Sequence, residues 1–298
     1  MIAARPILGG VFIAILVFGA VYAIASPILQ PIRFPRINVP WLGTGQDNIV
    51  DRYSLFKGTN VSSSITFVTL NLTVQIGMLN VVFLDDPNLV CDVSFGRLAN
   101  ASALQAAFAE SAANQSSQVN LSGETGAINL TLGNAYQYSG SIDLRIGGIV
   151  MELGQNTNIN KLAVSIRYLG GVLLRVKSGA SFEQLDLNMD IGGLQLEVDA
   201  TSLKSVCRLN TNISIGGFTM GAQVDTTRVG VSLNAAVDIG GLTVTSGGFE
   251  GSITSRNVSV RTHGYDSTSE RLDVNATIGL GGGALQSSIT SSNFQYSV

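Results

Sequence analysis

The single histidine of the chain is the residue best suited to proton transfer near neutral pH. His263 lies in the segment RTHGYD, and Asp266 is the nearest carboxylate in the sequence. An imidazole that acts as a catalytic base needs a nucleophile beside it and a carboxylate that orients it, and no nucleophile motif accompanies this pair. We therefore predict that His263 is a polar loop residue and that the chain is not an enzyme.

Two other segments contain residue types that bind ions. Asp85-Asp86-Pro87-Asn88 could supply oxygen ligands to a hard cation, but the same order of residues is typical of a turn, which is the interpretation adopted here. Gly279 to Gly283, in IGLGGGAL, has the glycine density of a phosphate-binding loop but lacks the lysine and the helix that should follow. No catalytic, cofactor-binding or metal site is predicted.

The two cysteines, Cys91 and Cys207, are far apart in the sequence and belong to no CxxC motif. In an exported chain they could form a disulfide that ties the first half of the chain to the second. The alternative is that both are buried free thiols. The sequence alone leaves the two possibilities open.

Asparagine is frequent in Asn-x-Ser/Thr triplets, which are acceptors for N-glycosylation in exported proteins. These predicted glycosylation sites are Asn60, Asn71, Asn100, Asn114, Asn120, Asn129, Asn212, Asn257 and Asn275. The alternative is that a surface rich in Asn, Ser and Thr produces such triplets incidentally. Only 12% of residues are charged, and 17 Lys and Arg against 20 Asp and Glu give a net charge of -3, so a nucleic-acid partner is excluded.

The N-terminus predicts a membrane anchor. No charge occurs between Arg5 and Arg33, and this stretch is long enough to cross a bilayer as a tilted helix. Arg5 favours a cytoplasmic N-terminus, so residues 1–30 are predicted to be a single transmembrane helix with the bulk of the chain extracellular. The competing interpretation is a signal peptide cleaved after the small residues Ala23-Ile24-Ala25.

A proline-rich segment follows and predicts an extended extracytoplasmic stalk over residues 31–57. Its alternative role is to pair with the edge of a neighbouring sheet. Beyond it, residues 58–298 are predicted to form one repetitive β domain, irregular over 58–140 and regular over 141–298.

A Gly-Gly pair flanked by alternating apolar residues recurs in this domain. The leading glycines are Gly147, Gly170, Gly192, Gly216 and Gly240, spaced 23, 22, 24 and 24 residues apart. A fixed period of this length is typical of repeat architectures, and alternation with period two indicates strands. The same frame extends back to Gly77 and forward to Gly281-Gly282, with weaker copies around Gly96 and Gly133.

Strict alternation is broken at each Gly-Gly pair, because Ile191 and Leu194 are three residues apart. A β-solenoid in which the glycines form a corner would place both side chains on one face, and so would a two-residue hairpin turn. The near-constant spacing favours an all-β, solenoid-like fold with repeats of about 23 residues. Stacked β-hairpins in a sandwich or barrel are the alternative.

One segment breaks the β pattern. The run from Asn100 to Gln115 is alanine-rich, with Leu104 and Phe108 four residues apart. These features predict one short helix near residues 101–114, inserted between repeats to cover the core or an exposed sheet end.

The segments LTVTSGGFEGSITSRNVSV and RLDVNATIGLGGGAL resemble the adhesin-like and toast-rack β-solenoid families of membrane-anchored surface proteins. The resemblance covers about Ser141 to Ser288. It implies a stacked β architecture at the cell surface and transfers no functional residue.

Together these features predict a membrane-anchored, glycosylated, non-catalytic structural or accessory protein of the cell envelope or of a membrane complex. Its expected partners are the membrane, other envelope or membrane-complex proteins and copies of itself. The first alternative is a carbohydrate-binding or adhesive module, for which the available aromatic residues in the repeats are Tyr168, Phe182, Phe218, Phe249 and Tyr265. The second is the subunit of a self-assembling surface filament.

Overall fold

The computed structural model describes residues 48–98, 102–111, 113, 115–246 and 248–287. In these ranges the chain is almost entirely β-strand, and all strands belong to one sheet. The strands are β1 (Asn48–Phe56), β2 (Phe67–Leu84), β3 (Leu89–Leu98), β4 (Gln105–Ser111), β5 (Ser116–Gly133), β6 (Gln137–Leu153), β7 (Ile159–Lys177), β8 (Phe182–Ala200), β9 (Val206–Val224), β10 (Val229–Ser246), β11 (Phe249–Ile253), β12 (Asn257–Thr262) and β13 (Glu270–Ser287). A short 3₁₀ helix, Tyr265–Ser267, precedes β13.

The predicted anchor, residues 1–30, lies outside the described residues. Within the part of the chain that the structure describes, no helix is both long enough and apolar enough to span a membrane.

Eight long strands pair in parallel, in the spatial order β5-β2-β6-β7-β8-β9-β13-β10. The register aligns the repeats with one another, so that Gly192 in β8 pairs with Gly170 on one side and with Gly216 on the other. The repeat that the sequence predicts is therefore confirmed as the stacking unit of the sheet.

The parallel pairing requires each long strand to bend back on itself. β8 has 19 residues, and a straight strand of that length would span about 63 Å. Five residues separate its end, Ala200, from the start of β9 at Val206, and they reach roughly 20 Å at most. Because β9 nevertheless starts beside the start of β8, the two ends of β8 must lie close together. Each strand with its linker is one coil of a solenoid, and stacked hairpins are not formed.

We place the bend of each coil at the glycines, where the backbones of successive coils approach one another closely. The first glycine of the pair has a left-handed φ in several coils, such as +154° at Gly192 and +148° at Gly216. A methyl group built on Gly192 would lie 1.6 Å from the carbonyl oxygen of Gly170, and one on Gly216 would lie 1.6 Å from that of Gly192. No residue with a side chain fits this column without moving the backbone.

The core lies between the two halves of each coil. In β8 the buried side chains occupy alternate positions before the glycines and alternate positions of the other parity after them. These residues are Leu185, Leu187, Met189, Leu194, Leu196 and Val198. The switch of parity at Gly192-Gly193 turns both halves of the coil toward one shared interior.

At both ends of the stack, chain order and spatial order differ. β5 follows β2 in the chain but lies outside it, and β13 follows β10 but lies inside it, between β9 and β10. Antiparallel strands then cover the terminal coils: β3 and β4 pair with β5, β1 pairs with β3, and at the other end β12 pairs with β10 and β11 with β12.

The predicted helix near residues 101–114 is wrong where the structure describes that segment. Gln105–Ser111 forms strand β4, which pairs antiparallel with the first half of β5. The outer edge of β5 carries backbone N–H and C=O groups that would face solvent if no strand paired with them. Pairing of Gln105–Ser111 with this edge outweighs the helix propensity of its alanines. The predicted role, covering a sheet end, is confirmed.

Two other expectations change. The end of the predicted stalk is wrong, because Asn48–Phe56 is strand β1; residues 31–47 of the predicted stalk lie outside the described residues. The weaker copies of the repeat are not corners, because Gly96 lies in the antiparallel strand β3 and Gly133 lies at the end of β5. The corner of β5 is Gly126, which pairs with Gly77.

Candidate interaction surface

The residues with catalytic potential are not assembled into a site. The His263 imidazole is exposed, and its Nδ1 lies 3.5 Å from a carboxylate oxygen of Glu250. Asp266 pairs instead with the Arg261 guanidinium at 2.7 Å. Among the described residues, no group of three His, Cys, Asp or Glu side chains could hold a metal ion.

The two candidate ion-binding segments have structural roles. Asp86 accepts hydrogen bonds from the backbone N–H groups of Asn88 and Leu89 at 2.9 and 3.2 Å, which confirms the predicted turn between β2 and β3. Gly279 to Gly283 lies within β13, where Gly281 pairs with Gly216 and Gly240. The segment is the corner of a coil, as the sequence indicates.

Cys91 and Cys207 are both buried free thiols. They lie on β3 and β9, which are six strand positions apart in the sheet, or about 29 Å along the stack. A disulfide requires Cα atoms within about 7 Å, so the predicted disulfide is not formed in this structure. Burial raises the pKa of the Cys91 thiol to about 12 and that of the Cys207 thiol to about 11, which makes both unreactive.

The sequon asparagines that the structure describes lie mostly on outward positions of the strands; Asn100 and Asn114 lie outside the described residues. In β2, Asn71 and Thr73 both point outward because they are two residues apart in a strand. The same geometry applies to Asn120 and Ser122 in β5. Alternation in strands thus generates Asn-x-Ser/Thr triplets on a polar face, and glycosylation at these positions stays a prediction.

Asparagines on this outer face, among them the sequon residues Asn71, Asn120 and Asn275, form a ladder along the stack, here called the amide ladder. Asn234 Nδ2 donates to Asn275 Oδ1 at 3.3 Å, Asn275 Nδ2 donates to Asn210 Oδ1 at 3.1 Å, and Asn210 Nδ2 donates to Asp186 Oδ1 at 2.8 Å. At the other end of the stack, Asn71 Nδ2 donates to Asn120 Oδ1 at 3.0 Å. These bonds link neighbouring coils through their outer side chains.

The opposite outer face carries charged pairs between coils. Arg175 Nε donates to Glu197 at 2.8 Å, and Lys177 Nζ donates to Glu152 at 2.7 Å. Exposed pairs of this kind contribute little to stability, so we regard this face as a solvated surface.

A third surface runs along the glycine corner and is the one that the sequence did not predict. In seven of the eight long strands the residue just before the corner glycine is aliphatic and points outward, and the register brings these seven residues into one row. This row, which we call the apolar ridge, consists of Ile76, Ile146, Leu169, Ile191, Ile215, Leu280 and Ile239. It spans about 29 Å, because its seven strands are about 4.8 Å apart.

Four members of the ridge are exposed: Ile76 (48%), Ile146 (39%), Leu280 (47%) and Ile239 (64%). Sequence alternation places these residues in the core, because each continues the buried series of its strand. The bend at the corner reverses that expectation, since a side chain on the outside of the bend cannot reach the interior. Contiguous exposed apolar surface of this kind commonly marks an interaction site.

The two flanks of the ridge differ in charge. On the side of the first half-strands lie exposed charged residues, namely Glu124, Arg145, Asp190 and Asp238. On the other side, the charged residues Glu152, Arg175 and Glu197 lie in the second row of outward residues beyond the glycines. The first row is uncharged and consists of Asn80, Val150, Leu173, Gln195, Thr219, Ala284 and Thr243.

Comparison with solved structures places this fold beside adhesin-like proteins. A crystal structure of a candidate cell adhesion protein from Clostridium sporogenes matches with a TM-score of 0.54 at 12% identity, over 81% of this chain and 100% of that one. A candidate adhesin from Bacteroides fragilis matches over 81% of this chain and 98% of its own at 13% identity, with a TM-score of 0.30 that carries no argument. No protein-family model and no curated protein matches the chain. The expected resemblance to adhesin-like proteins is confirmed for the fold.

Proposed function

We propose that this chain is a non-catalytic, membrane-anchored protein that presents its solenoid as an interaction surface outside the cytoplasm. The observation that carries the proposal is the set of rows of outward side chains along the stack. The apolar ridge runs across seven coils at the strand spacing, and the amide ladder links four coils at one end and two at the other. Such rows suit binding to an extended partner better than binding of a small substrate in a cleft.

The likeness in fold to the candidate cell adhesion protein supports this role. A specialised carbohydrate-binding site receives less support, because the aromatic residues of the repeats do not form an exposed row. Phe182 and Phe218 are buried, Phe249 packs against the core, and Tyr168 is exposed.

Glycosylation is expected first at sequons whose asparagine side-chain amide makes no hydrogen bond within the described residues. Asn212 and Asn257 are exposed and meet this condition. Asn71 donates through Nδ2 to Asn120 Oδ1, and Nδ2 is the atom to which a glycan is attached, so glycosylation of Asn71 competes with this contact between coils. We expect mass spectrometry of the native protein to find higher occupancy at Asn212 and Asn257 than at Asn71.

The proposed location is tested on intact cells that express the full chain. We expect the protein to remain in the membrane fraction after washing at high pH and to be cleaved by a protease added outside the cell. A tag at the N-terminus should stay protected from the protease in the same experiment. A chain that is washed off the membrane, or is cleaved only after lysis, would contradict the proposal.

A further inference from the structure

We propose that residues 294–298 of this chain pair, as a short antiparallel strand, with the outer edge of residues 242–246 in β10. These residues belong to the C-terminal segment, 288–298, which follows β13 and lies outside the described residues. The inference rests on the open edge of β10 and on the sequence of the C-terminal segment, and it does not depend on the proposed location. It names the occupant of a surface to which the function proposed above assigns no role.

The docking surface is the second half of β10, the last of the parallel coils. Leu242 and Val244 pack against the core but are only partly buried. The residues in register with them in β8, Leu194 and Leu196, are fully buried. Because no described strand pairs with the outer edge of this half, the surface offers both apolar side chains and a free strand edge.

The hydrogen-bonding groups of this edge can be assigned from one observed bond. Leu242 N–H points to the outer edge, since it donates to the Ser255 carbonyl at 2.8 Å. The N–H and C=O groups of every second residue in a strand point to the same side, so Val244 and Ser246 direct theirs to the outer edge as well. An antiparallel strand centred opposite Val244 would exchange two hydrogen bonds with it.

The C-terminal segment starts close enough to reach this edge. Ser287 pairs with Ser246 on the inner side of β10, so the outer side is two strand spacings, or about 10 Å, away. Residues 288–293 span roughly 20 Å when extended, which is enough to pass around the end of β10. The segment would then return along the outer edge in the antiparallel direction.

The sequence of the segment suits a strand with one buried face. Its apolar residues alternate with Asn, Gln and Ser, and they are Phe294, Tyr296 and Val298. With Tyr296 opposite Val244, Val298 lies opposite Leu242. Directly opposed residues of an antiparallel pair face the same side of the sheet, so this register places the three apolar side chains over the partly buried core of β10.

The segment before β1 suits this edge less well. β1 lies at the opposite end of the sheet from β10, so that segment enters the fold far from the open edge. Its Pro35 and Pro40 have no N–H to donate to a neighbouring strand. The C-terminal segment contains neither proline nor charge.

The other end of the solenoid is closed in the way proposed here. There β3 runs antiparallel to the second half of β5, and its inward residues on alternate positions are Cys91, Val93 and Phe95. β3 is in turn covered by β1, whereas no described strand lies beyond β10 at this half. The C-terminal segment should therefore open more readily than β3, and residues 242–246 should still exchange faster than Ala127–Leu132 in the full chain.

The register is tested by oxidation of a double cysteine variant of the full chain in detergent micelles. Thr243 is exposed, and the proposed register sets it directly opposite Ser297 at a Cα separation of about 4.5 Å, which a disulfide can bridge. We expect Thr243→Cys with Ser297→Cys to form a disulfide within one molecule. The native thiols are buried and do not compete.

The matched control is Thr243→Cys with Asn293→Cys, which the register holds about 13 Å apart and which should stay reduced. Equal cross-linking in the two variants, or none in either, would overturn the proposal. A disulfide that joins two molecules would also overturn it, because the edge would then pair with a second copy.

Hydrogen exchange supplies a test without new cysteines. Tyr296→Asp puts a charge on the face proposed to be buried, and Gln295→Asp puts the same charge on the outward face one residue away. We expect the first substitution to speed exchange in residues 242–246 at least about threefold and the second to leave it unchanged. Exchange in β8, three strand positions away, should not change in either variant. Equal exchange in residues 242–246 of the two variants would overturn the proposal.

Discussion

The two ends of the solenoid are covered to different extents. At one end, strand β5 is paired along both halves of its outer edge, by β4 over the first half and β3 over the second. At the other end, β12 pairs with the first half of β10 only. Among the described residues, no strand pairs with the outer edge of Leu242–Ser246, and the contact there is a hydrogen bond from Leu242 N–H to the Ser255 carbonyl.

The difference is visible in the core at each end. Ile128, Leu130 and Leu132 in the second half of β5 are buried, whereas Leu242 and Val244 in the second half of β10 are half-buried. Terminal repeats of solenoids need covering strands because their outer edges carry unpaired backbone groups. The comparison shows that covering one half of a coil does not protect the other half.

Substitutions at the glycine corner of β10 test whether the less covered end of the solenoid bends at the same position as the other coils. A methyl group at Gly240 would lie 1.6 Å from the Gly281 carbonyl oxygen, whereas at Gly241 the nearest atom is Ser255 O at 3.7 Å. We expect Gly240→Ala to reduce the free energy of unfolding by about 4 kcal/mol or more and Gly241→Ala by less than about 1 kcal/mol. Chemical denaturation measures both.

Equal costs at the two positions would show that the corner is not formed at β10. Gly221→Ala serves as a control, because nothing lies within 4 Å of a methyl group at that position.

Truncation of one aromatic residue at each end of the solenoid compares how much the covering strands at the two ends contribute to the free energy of unfolding. Phe95 in β3 is fully buried, and its ring lies over Gly123 and Gly126 of β5. Phe249 in β11 is only partly buried against the core. We expect Phe95→Ala to cost about 3–5 kcal/mol and Phe249→Ala about 1 kcal/mol. Thermal and chemical unfolding of the two variants should give this order, and the reverse order would contradict the account of the ends.

Hydrogen exchange compares the two terminal coils without substitution. Outward N–H groups of Leu242–Ser246 lack strand partners in the described structure, whereas Ala127–Leu132 is paired on both sides. We expect exchange at least about tenfold faster in the first segment, because local opening there breaks fewer bonds. Equal protection measured by mass spectrometry would mean that the outer edge of Leu242–Ser246 is covered.

The smallest expected effect concerns β1, which covers β3. Hydrogen bonds from Arg97 lower the pKa of Asp51, and hydrogen bonds from Arg52 lower the pKa of Asp92. A carboxyl whose pKa is lowered on folding stabilises the fold above its unfolded pKa of about 3.9, and this contribution is lost as pH falls through the lower, folded value.

We therefore expect exchange of β1 amides, corrected for intrinsic rates, to rise by less than about tenfold below pH 4, since the Arg52 partner of Asp92 is exposed to solvent, whereas Arg97 and Asp51 are partly buried. The variant Asp92→Asn should show a smaller rise. If the rise in exchange below pH 4 is unchanged in that variant, protonation of Asp92 is not its cause.

The sequence predicts the repeat well because its signal is local. Gly192 and its equivalents recur at a nearly constant spacing, and alternation identifies the strands on each side. The corner of β5 escapes the pattern because Gly126 is followed by Ala127 instead of a second glycine. The sequence also does not predict that β5 stacks outside β2 and that β13 stacks between β9 and β10. Repeat spacing carries no information on which coil lies outermost.

The apolar ridge could not be predicted from alternation alone. Ile191 continues the series Leu185, Leu187 and Met189, which is buried, yet the bend turns it outward. A backbone feature at Gly192 therefore decides the environment of its neighbour. The helix predicted near 101–114 fails for a related reason, since pairing of Gln105–Ser111 with β5 is a tertiary contact that local propensity does not include.

The distance between spin labels at Ile76→Cys and Ile239→Cys tests the central claim, that each Gly-Gly repeat is one coil in register with the next. The labelled chain is diluted with unlabelled chain so that only distances within one molecule are measured. Because Ile76 and Ile239 lie six strand positions apart on the ridge, the account predicts a separation of about 29 Å. A separation near 60 Å, as expected if each repeat were a hairpin contributing two strands to the sheet, would contradict it.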